Sequence, residues 1–319
     1  MIPYFKKYSF LIGFVILGII ISKIDLRNLI GALQQANYFL IVISILILIP
    51  NFLIRSWRWN YFKKIQGIKF KLIDSFLIYL VGFLIGIITP AKIGELSKII
   101  YLKDQNNSIG KSLVSVFLDR LLDIIYFLIF GYFAFIFTLQ GLTDQINFIH
   151  LILITSLLVL IILIRLGWHK IFIKKLFYWV IPKRYQSELK INFSDFLTDF
   201  KLIKPKNYII AFVVTIVSWL IYYYQIYLFA LSVNLDIPFI TLAIAVTIAT
   251  LVVLVPISFL GIGIREATLV VLLQAYTGDI SKIILFSQLI LLLNISAAIM
   301  GILAWKLRPI PFKLKNQDE

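Results

Sequence analysis

"ITPAKIGELSK", residues 88–98, breaks into an apolar run, "LIDSFLIYLVGFLIG" (72–86), whose composition suits a bilayer. Pro90, Lys92, Gly94 and Glu95 follow the run at once. A charge at the bilayer centre costs about 2.5–3.5 kcal/mol on insertion scales. A membrane segment interrupted this way must therefore gain something from the interruption. The chain repeats the pattern later in "PISFLGIGIREATL", residues 256–269, where Gly261, Gly263, Arg265 and Glu266 interrupt a second apolar stretch. Both breaks carry Pro, then Gly, then Glu, with a basic residue close by.

Working outward, the whole chain reads as a membrane protein. Of its 319 residues, 61% are hydrophobic, and the mean hydropathy is +0.99. Soluble domains average about 45–50% apolar residues. Clear spans are predicted near 8–22, 38–54, 112–139, 148–166, 208–233 and 283–305, with the interrupted stretches at 72–102 and 239–278. The N-terminal stretch "MIPYFKKYSFLIGFVILGIIIS" has two lysines before its apolar core, but no small-x-small cleavage site follows, so it reads as a retained helix. There is no cysteine, which removes disulfide and thiolate chemistry.

The net charge of +16 comes from 31 Lys and Arg against 15 Asp and Glu. These basic residues border apolar segments, which speaks against nucleic acid as a partner and for topology bias and anionic headgroups. Residues 55–71 carry Arg55, Arg58, Lys63, Lys64, Lys69 and Lys71 and no acid, and 165–206 is similarly basic, whereas 140–147 and 234–238 carry no basic residue. Positive-inside logic places the two basic segments and both termini in the cytoplasm. The interrupted stretches must then each enter and leave by the same face. Their limbs of about 10–18 residues are short for spans, which need about 20. They read as re-entrant hairpins dipping in from opposite sides, with paired short spans or kinked single helices as the alternative. The expected fold is an all-α polytopic integral membrane protein, one domain over 1–319. It has about six spanning helices and two opposed re-entrant hairpins in an inverted repeat. The halves are 38–139 and 208–305, linked by an interfacial cytoplasmic segment at 167–206. Broken segments in matching positions of two halves point to a substrate site.

The candidate site follows from the breaks. A helix restarting after each turn presents free N–H groups that suit a phosphate, with Lys92 and Arg265 as counter-charges and Gly94 and Gly263 letting the backbone turn. Glu95 and Glu266 would face a cationic or hydroxylated headgroup, or control gating. "SVFLDRLLDIIYF", residues 115–127, adds Asp119 and Asp123 on one helix face. Arg120 is three residues from Asp123, and an ionic contact with Glu95 is geometrically plausible. The competing reading is a purely internal ion-pair network that locks two broken helices. In "RSWRWNYFKK", residues 55–64, Arg55 and Arg58 with Trp57 and Trp59 read as an interfacial anchor or as lipid contacts. Gln225 and Asn294 read as packing residues able to bond across helices. Enzyme signals are poor. His150 and His169 have no carboxylate three to five residues away, and no nucleophile elbow, metal-ligand cluster or phosphate-binding Gly loop is present, Gly261-x-Gly263 lacking a third glycine. No cofactor and no metal is expected.

"RSWRW", "PAKIGELSKIIYLK", "LDRLLD" and "PISFLGIGIREATLV", in that order, resemble the lysylphosphatidylglycerol synthase transmembrane-region family, also called the flippase-like domain family. The resemblance covers nearly the whole chain. It implies a multi-pass plasma-membrane protein linked to lipid translocation. Its partners would be anionic or aminoacylated phospholipid, or polyprenyl-linked glycolipid, and a separate lipid-modifying transferase. Fused relatives carry a soluble aminoacyl-transferase domain. This sequence ends at Glu319, about 14 residues past the last apolar stretch, so it is not expected to synthesise lysyl lipids. The alternatives to a translocase are a membrane-embedded lipid or polyprenyl transferase and an accessory protein that positions a separate synthase.

Overall fold

A computed structural model describes residues 31, 33–103, 109–138, 202–254 and 259–309. The expected spans at 8–22 and 148–166, nearly all of the interfacial segment 167–206 and the C-terminal tail lie outside the described residues. Every regular element among the described residues is helical. In chain order these are α1 Tyr38–Leu46, α2 Leu48–Ile65, α3 Leu72–Ile87, a 3₁₀ turn Pro90–Ser97, α4 Lys98–Lys103, α5 Ile109–Thr138, α6 Pro205–Ser232, α7 Phe239–Leu254, a short 3₁₀ turn Phe259–Gly261, α8 Ile264–Thr277 and α9 Ile280–Leu307.

Among the described residues three segments are long and apolar enough to cross a membrane: Tyr38–Ile65, Pro205–Ser232 and Ile280–Leu307, each of 28 residues. At a rise of 1.5 Å per residue each is about 42 Å long, more than the hydrocarbon core requires. The first is interrupted between α1 and α2 because Pro50 has no N–H for the carbonyl of Leu46. The ladder resumes on either side, with the Ile47 amide donating to Ile43 O at 3.0 Å and the Asn51 amide to Ile47 O at 3.2 Å. The other two start on recognisable signals. Pro205 occupies the first turn of α6, where its missing N–H costs nothing. Asp279 caps α9 by accepting from the amides of Ser281 and Lys282.

The interrupted stretches fold back on themselves. The 3₁₀ turn lies against α3, and α7 packs along α8. In the first hairpin Glu95 packs against Gly86 and Lys98 against Gly82, so the return limb runs antiparallel to α3. Among the described residues the order long helical segment, folded-back pair, long helix occurs twice, and the two sets pack on each other's equivalent elements. The α1–α2 segment packs on α6, the first hairpin's α3 packs on α9, and the second hairpin's α7 packs on α5. Small residues mark both exchanges. A Cβ on Gly301 of α9 would meet Leu84 and the Leu80 carbonyl of α3, and one on Gly131 of α5 would meet Leu251 of α7. Close approach through small residues is a common way for membrane helices to associate. The large core formed this way includes Trp59, Tyr79, Tyr126, Trp219, Phe229 and Phe286.

Candidate functional site

The polar centre is built on three helices that meet at Arg58 of α2. Its guanidinium is fully buried. It donates from Nε to Asp119 Oδ1 at 2.9 Å, from Nη1 to Asp123 Oδ1 at 2.9 Å and from Nη1 to Thr215 Oγ1 at 2.6 Å. Asp119 and Asp123, four residues apart on α5, present both carboxylates to one fork, as helical spacing requires. This corrects the reading of Arg58 as an interfacial lipid contact: the Trp-rich stretch around it faces two ways. Trp57 is exposed, while Arg58 and Trp59 are buried. Arg55, one turn earlier, is half-buried. It donates to Asn51 Oδ1 at 3.1 Å and lies 4.7 Å from the ring centre of Trp219.

The first hairpin brings the second layer. Thr89 closes the end of α3, its hydroxyl lying 2.9 Å from the Ile85 carbonyl and accepting from the Gly94 amide at 2.7 Å. This tight return aims Glu95 inward, where it is 1% exposed. Arg120 Nη1 donates to Glu95 Oε1 at 2.7 Å, so the contact that was geometrically plausible in sequence is formed. Arg120 Nη2 also lies 3.0 Å from Asp119 Oδ2, 3.2 Å from Asp123 Oδ2 and 2.8 Å from the Tyr79 hydroxyl. Lys98 completes the set, 3.3 Å from both Glu95 Oε2 and Asp119 Oδ2. Arg58, Lys98 and Arg120 thus face Glu95, Asp119 and Asp123, and the buried charges balance. Balance is what a low-dielectric setting demands, because an unpaired buried ion carries an uncompensated desolvation penalty. The network reaches the surface at one edge, where the side chains of Arg120 and Asp123 are 24% and 11% exposed.

The second hairpin makes a smaller cluster. Arg265 donates from Nη2 to Glu266 Oε1 at 2.9 Å and from Nε to Ser287 Oγ at 2.8 Å. Ser287 and Gln288 of α9 donate to the same Glu266 oxygen at 2.9 and 3.3 Å. In both halves, then, the glutamate after the turn is held by the long helix that follows. The other Glu266 oxygen accepts from the Gly263 amide at 2.6 Å. This alters the expectation for the helix starts. The N-terminus of α8 is already capped by its own Glu266 carboxylate, a strong charge-assisted arrangement. After the first turn comes a 3₁₀ segment and only six residues of α4. The Gly263 amide is therefore not free for a phosphate, and the first turn leads into no extended helix start. Lys92 remains exposed at the turn tip, with φ of 56°.

Lys98, Tyr79, Thr215, Trp219 and Ser287 were not singled out from the sequence. Lys98 carried a signal, being three residues from Glu95 on the return limb. Thr215 and Trp219, whose indole N–H donates to Asp123 Oδ1 at 3.3 Å, carried none, because they come from the other half of the chain. Gln225 does bond across helices, donating to Ser44 O at 2.9 Å and accepting from Asn51 Nδ2 at 3.1 Å, whereas Asn294 bonds its own helix at Ile290 O. Beside the first cluster, Trp219 packs edge-on against Tyr222 of the same helix.

Comparison with known proteins places the chain among membrane proteins. A UPF0104 membrane protein of Pyrococcus horikoshii is 28% identical over 164 residues, which cover 50% of this chain and 48% of that protein. The match therefore spans about half the length of that curated relative. No solved structure matches. The profile described as the lysylphosphatidylglycerol synthase TM region matches residues 8–301, taking in both hairpins and every ionised residue of the two clusters. The chain accordingly belongs to the lysylphosphatidylglycerol synthase transmembrane-region family.

Proposed function

We propose that this protein moves a lipid with a charged headgroup between the leaflets of the plasma membrane, with both termini cytoplasmic, and that it performs no covalent chemistry. One observation carries the reading: two folded-back apolar hairpins place ionised residues deep in helical packing, and one of the resulting networks opens to the surface at Arg120 and Asp123. A fold needing only adhesion between helices would be expected to fill these positions with apolar side chains, since a buried ion pair often gives no stability over a hydrophobic replacement. The exchanged packing of the two halves supports an inverted repeat, in which rocking of one half against the other exposes a shared site to alternate faces.

The membrane placement is testable by itself. Cysteines replacing Asp236 and Tyr276, at the two ends of the second hairpin, are expected to label from one side of the membrane, and one replacing Lys69 from the other. Labelling of positions 236 and 276 from opposite sides would remove the re-entrant hairpin.

Function is tested in proteoliposomes. Glu95→Gln and Glu266→Gln are each expected to slow movement of a fluorescent phospholipid at least about tenfold, a change of about 1.4 kcal/mol in barrier, with folded protein retained. A second reading is favoured by the charge balance of the Arg58 network: an accessory membrane protein, partner to a separate lipid or polyprenyl transferase, in which the ions only lock the hairpin. Normal lipid movement in both glutamine variants would decide for that reading.

A further inference from the structure

The buried network is neutral, but the positive charge around it is not. Arg55 and Lys92 stand at its edge. Neither is ion-paired with a carboxylate among the described residues. The Lys92 ammonium lies 5.5 Å from the ring centre of Phe83, three residues before the Glu95 that binds Arg120, and Arg55 reaches the same group through Trp219, whose indole donates to Asp123, itself 3.2 Å from Arg120. The neighbourhood therefore holds five cations, Arg55, Arg58, Lys92, Lys98 and Arg120, against three carboxylates, Glu95, Asp119 and Asp123.

Two further features point the same way. Lys92 takes a left-handed backbone conformation, which residues with a Cβ adopt only under strain, and such strain clusters at functional sites. Arg120, although its Nη atoms are well partnered, has a buried Nε with no hydrogen-bond acceptor. A negatively charged group at the exposed edge of Arg120 would offset the two unmatched cations. On the re-entrant reading the turn lies within the membrane, where an unpaired cation needs a partner from the lipid or a hydrated cavity.

We propose that Arg55, Lys92 and Arg120 form an anion subsite at the mouth of the network. It takes the phosphate oxygens of a headgroup with net negative charge, in preference to one that aminoacylation has made net positive. The subsite rests on the translocation reading only for what becomes of the lipid after it binds. A lysylated headgroup brings two ammonium groups to a rim already two charges positive, and its phosphate cannot offset both.

The test uses the full chain in nanodiscs of zwitterionic lipid, with binding of phosphatidylglycerol and of lysyl-phosphatidylglycerol measured by native mass spectrometry. Phosphatidylglycerol is expected to bind about tenfold more tightly, and Arg55→Gln with Lys92→Gln to abolish the preference. Lys92→Arg, which keeps the charge, should retain it, and this separates charge from shape at the turn. Equal binding of the two lipids, tighter binding of the lysylated one, or an unchanged preference in the double variant would each overturn the subsite. Millimolar inorganic phosphate distinguishes the source of the anion: displacement of phosphatidylglycerol shows that a free phosphate fills the subsite as well, and no displacement assigns it to the lipid headgroup. Lipid movement measured in parallel keeps the two ideas apart. Preference without movement rejects translocation and leaves the subsite standing, and movement without preference does the reverse.

Discussion

Arg58→Ala is expected to destabilise the protein by about 3–5 kcal/mol, the usual cost of stranding the partners of a buried ion. The guanidinium touches Asp119, Asp123 and Thr215 with no solvent exposure, so truncation leaves a fork-shaped void and an excess of buried negative charge. Thermal unfolding in detergent, followed by loss of the monodisperse species, reads this directly. Arg58→Lys should recover only part of the loss, because an ammonium cannot serve both carboxylates with the geometry of a planar fork. Adding Asp123→Asn to Arg58→Met restores charge balance, and this double variant should be more stable than Arg58→Met alone. Arg120→Ala should cost less than Arg58→Ala, since its side chain is 24% exposed and water relieves part of the loss. An Arg58→Ala protein as stable as wild type would mean the network does not hold the fold together.

Gly94→Ala is the other large effect. A Cβ at this position would fall on the carbonyl of Ile85, which is α3 backbone and unable to rotate away. The return limb would have to lift off α3, breaking the Gly94 amide contact to Thr89 at 2.7 Å and withdrawing Glu95 from Arg120. Overpacking in a tight core typically costs 1–3 kcal/mol, occasionally more. Contact with rigid backbone puts this case at about 3 kcal/mol or above. Because Glu95 moves with the limb, lipid movement should fall even in the fraction that stays folded. Gly278→Ala is the control: its Cβ meets nothing, and only the left-handed φ of 62° opposes it, so it should cost about 1 kcal/mol and leave lipid movement intact.

Much of the architecture was legible in one dimension because membrane insertion is governed by local composition. Twenty-odd apolar residues in a row identify α6 and α9 without reference to anything else in the chain. Pro, Gly and charge in the middle of such a run mark the two turns, since those residues oppose both helix continuation and burial. The i, i+4 spacing of Asp119 and Asp123 likewise predicts a shared face. What those carboxylates face is not local. Arg58 looks like an interfacial residue because its neighbours Arg55, Trp57 and Lys64 are basic and aromatic, and only packing of α2 against α5 and α6 turns it inward. The capping of α8 by Glu266 is the opposite case, since Gly263 and Glu266 stand at the N-cap and N3 spacing of a capping box, a local signal that the assignment of Glu266 to a headgroup or gate left aside. Sequence by itself therefore determined where the chain is apolar, where it breaks and which ionised residues are forced together along one helix. Tertiary structure alone decided which of those ions cancel and which, as at Arg55 and Lys92, are left over. Pairing depends on distances of a few ångströms between residues as far apart in the chain as Arg58 and Thr215.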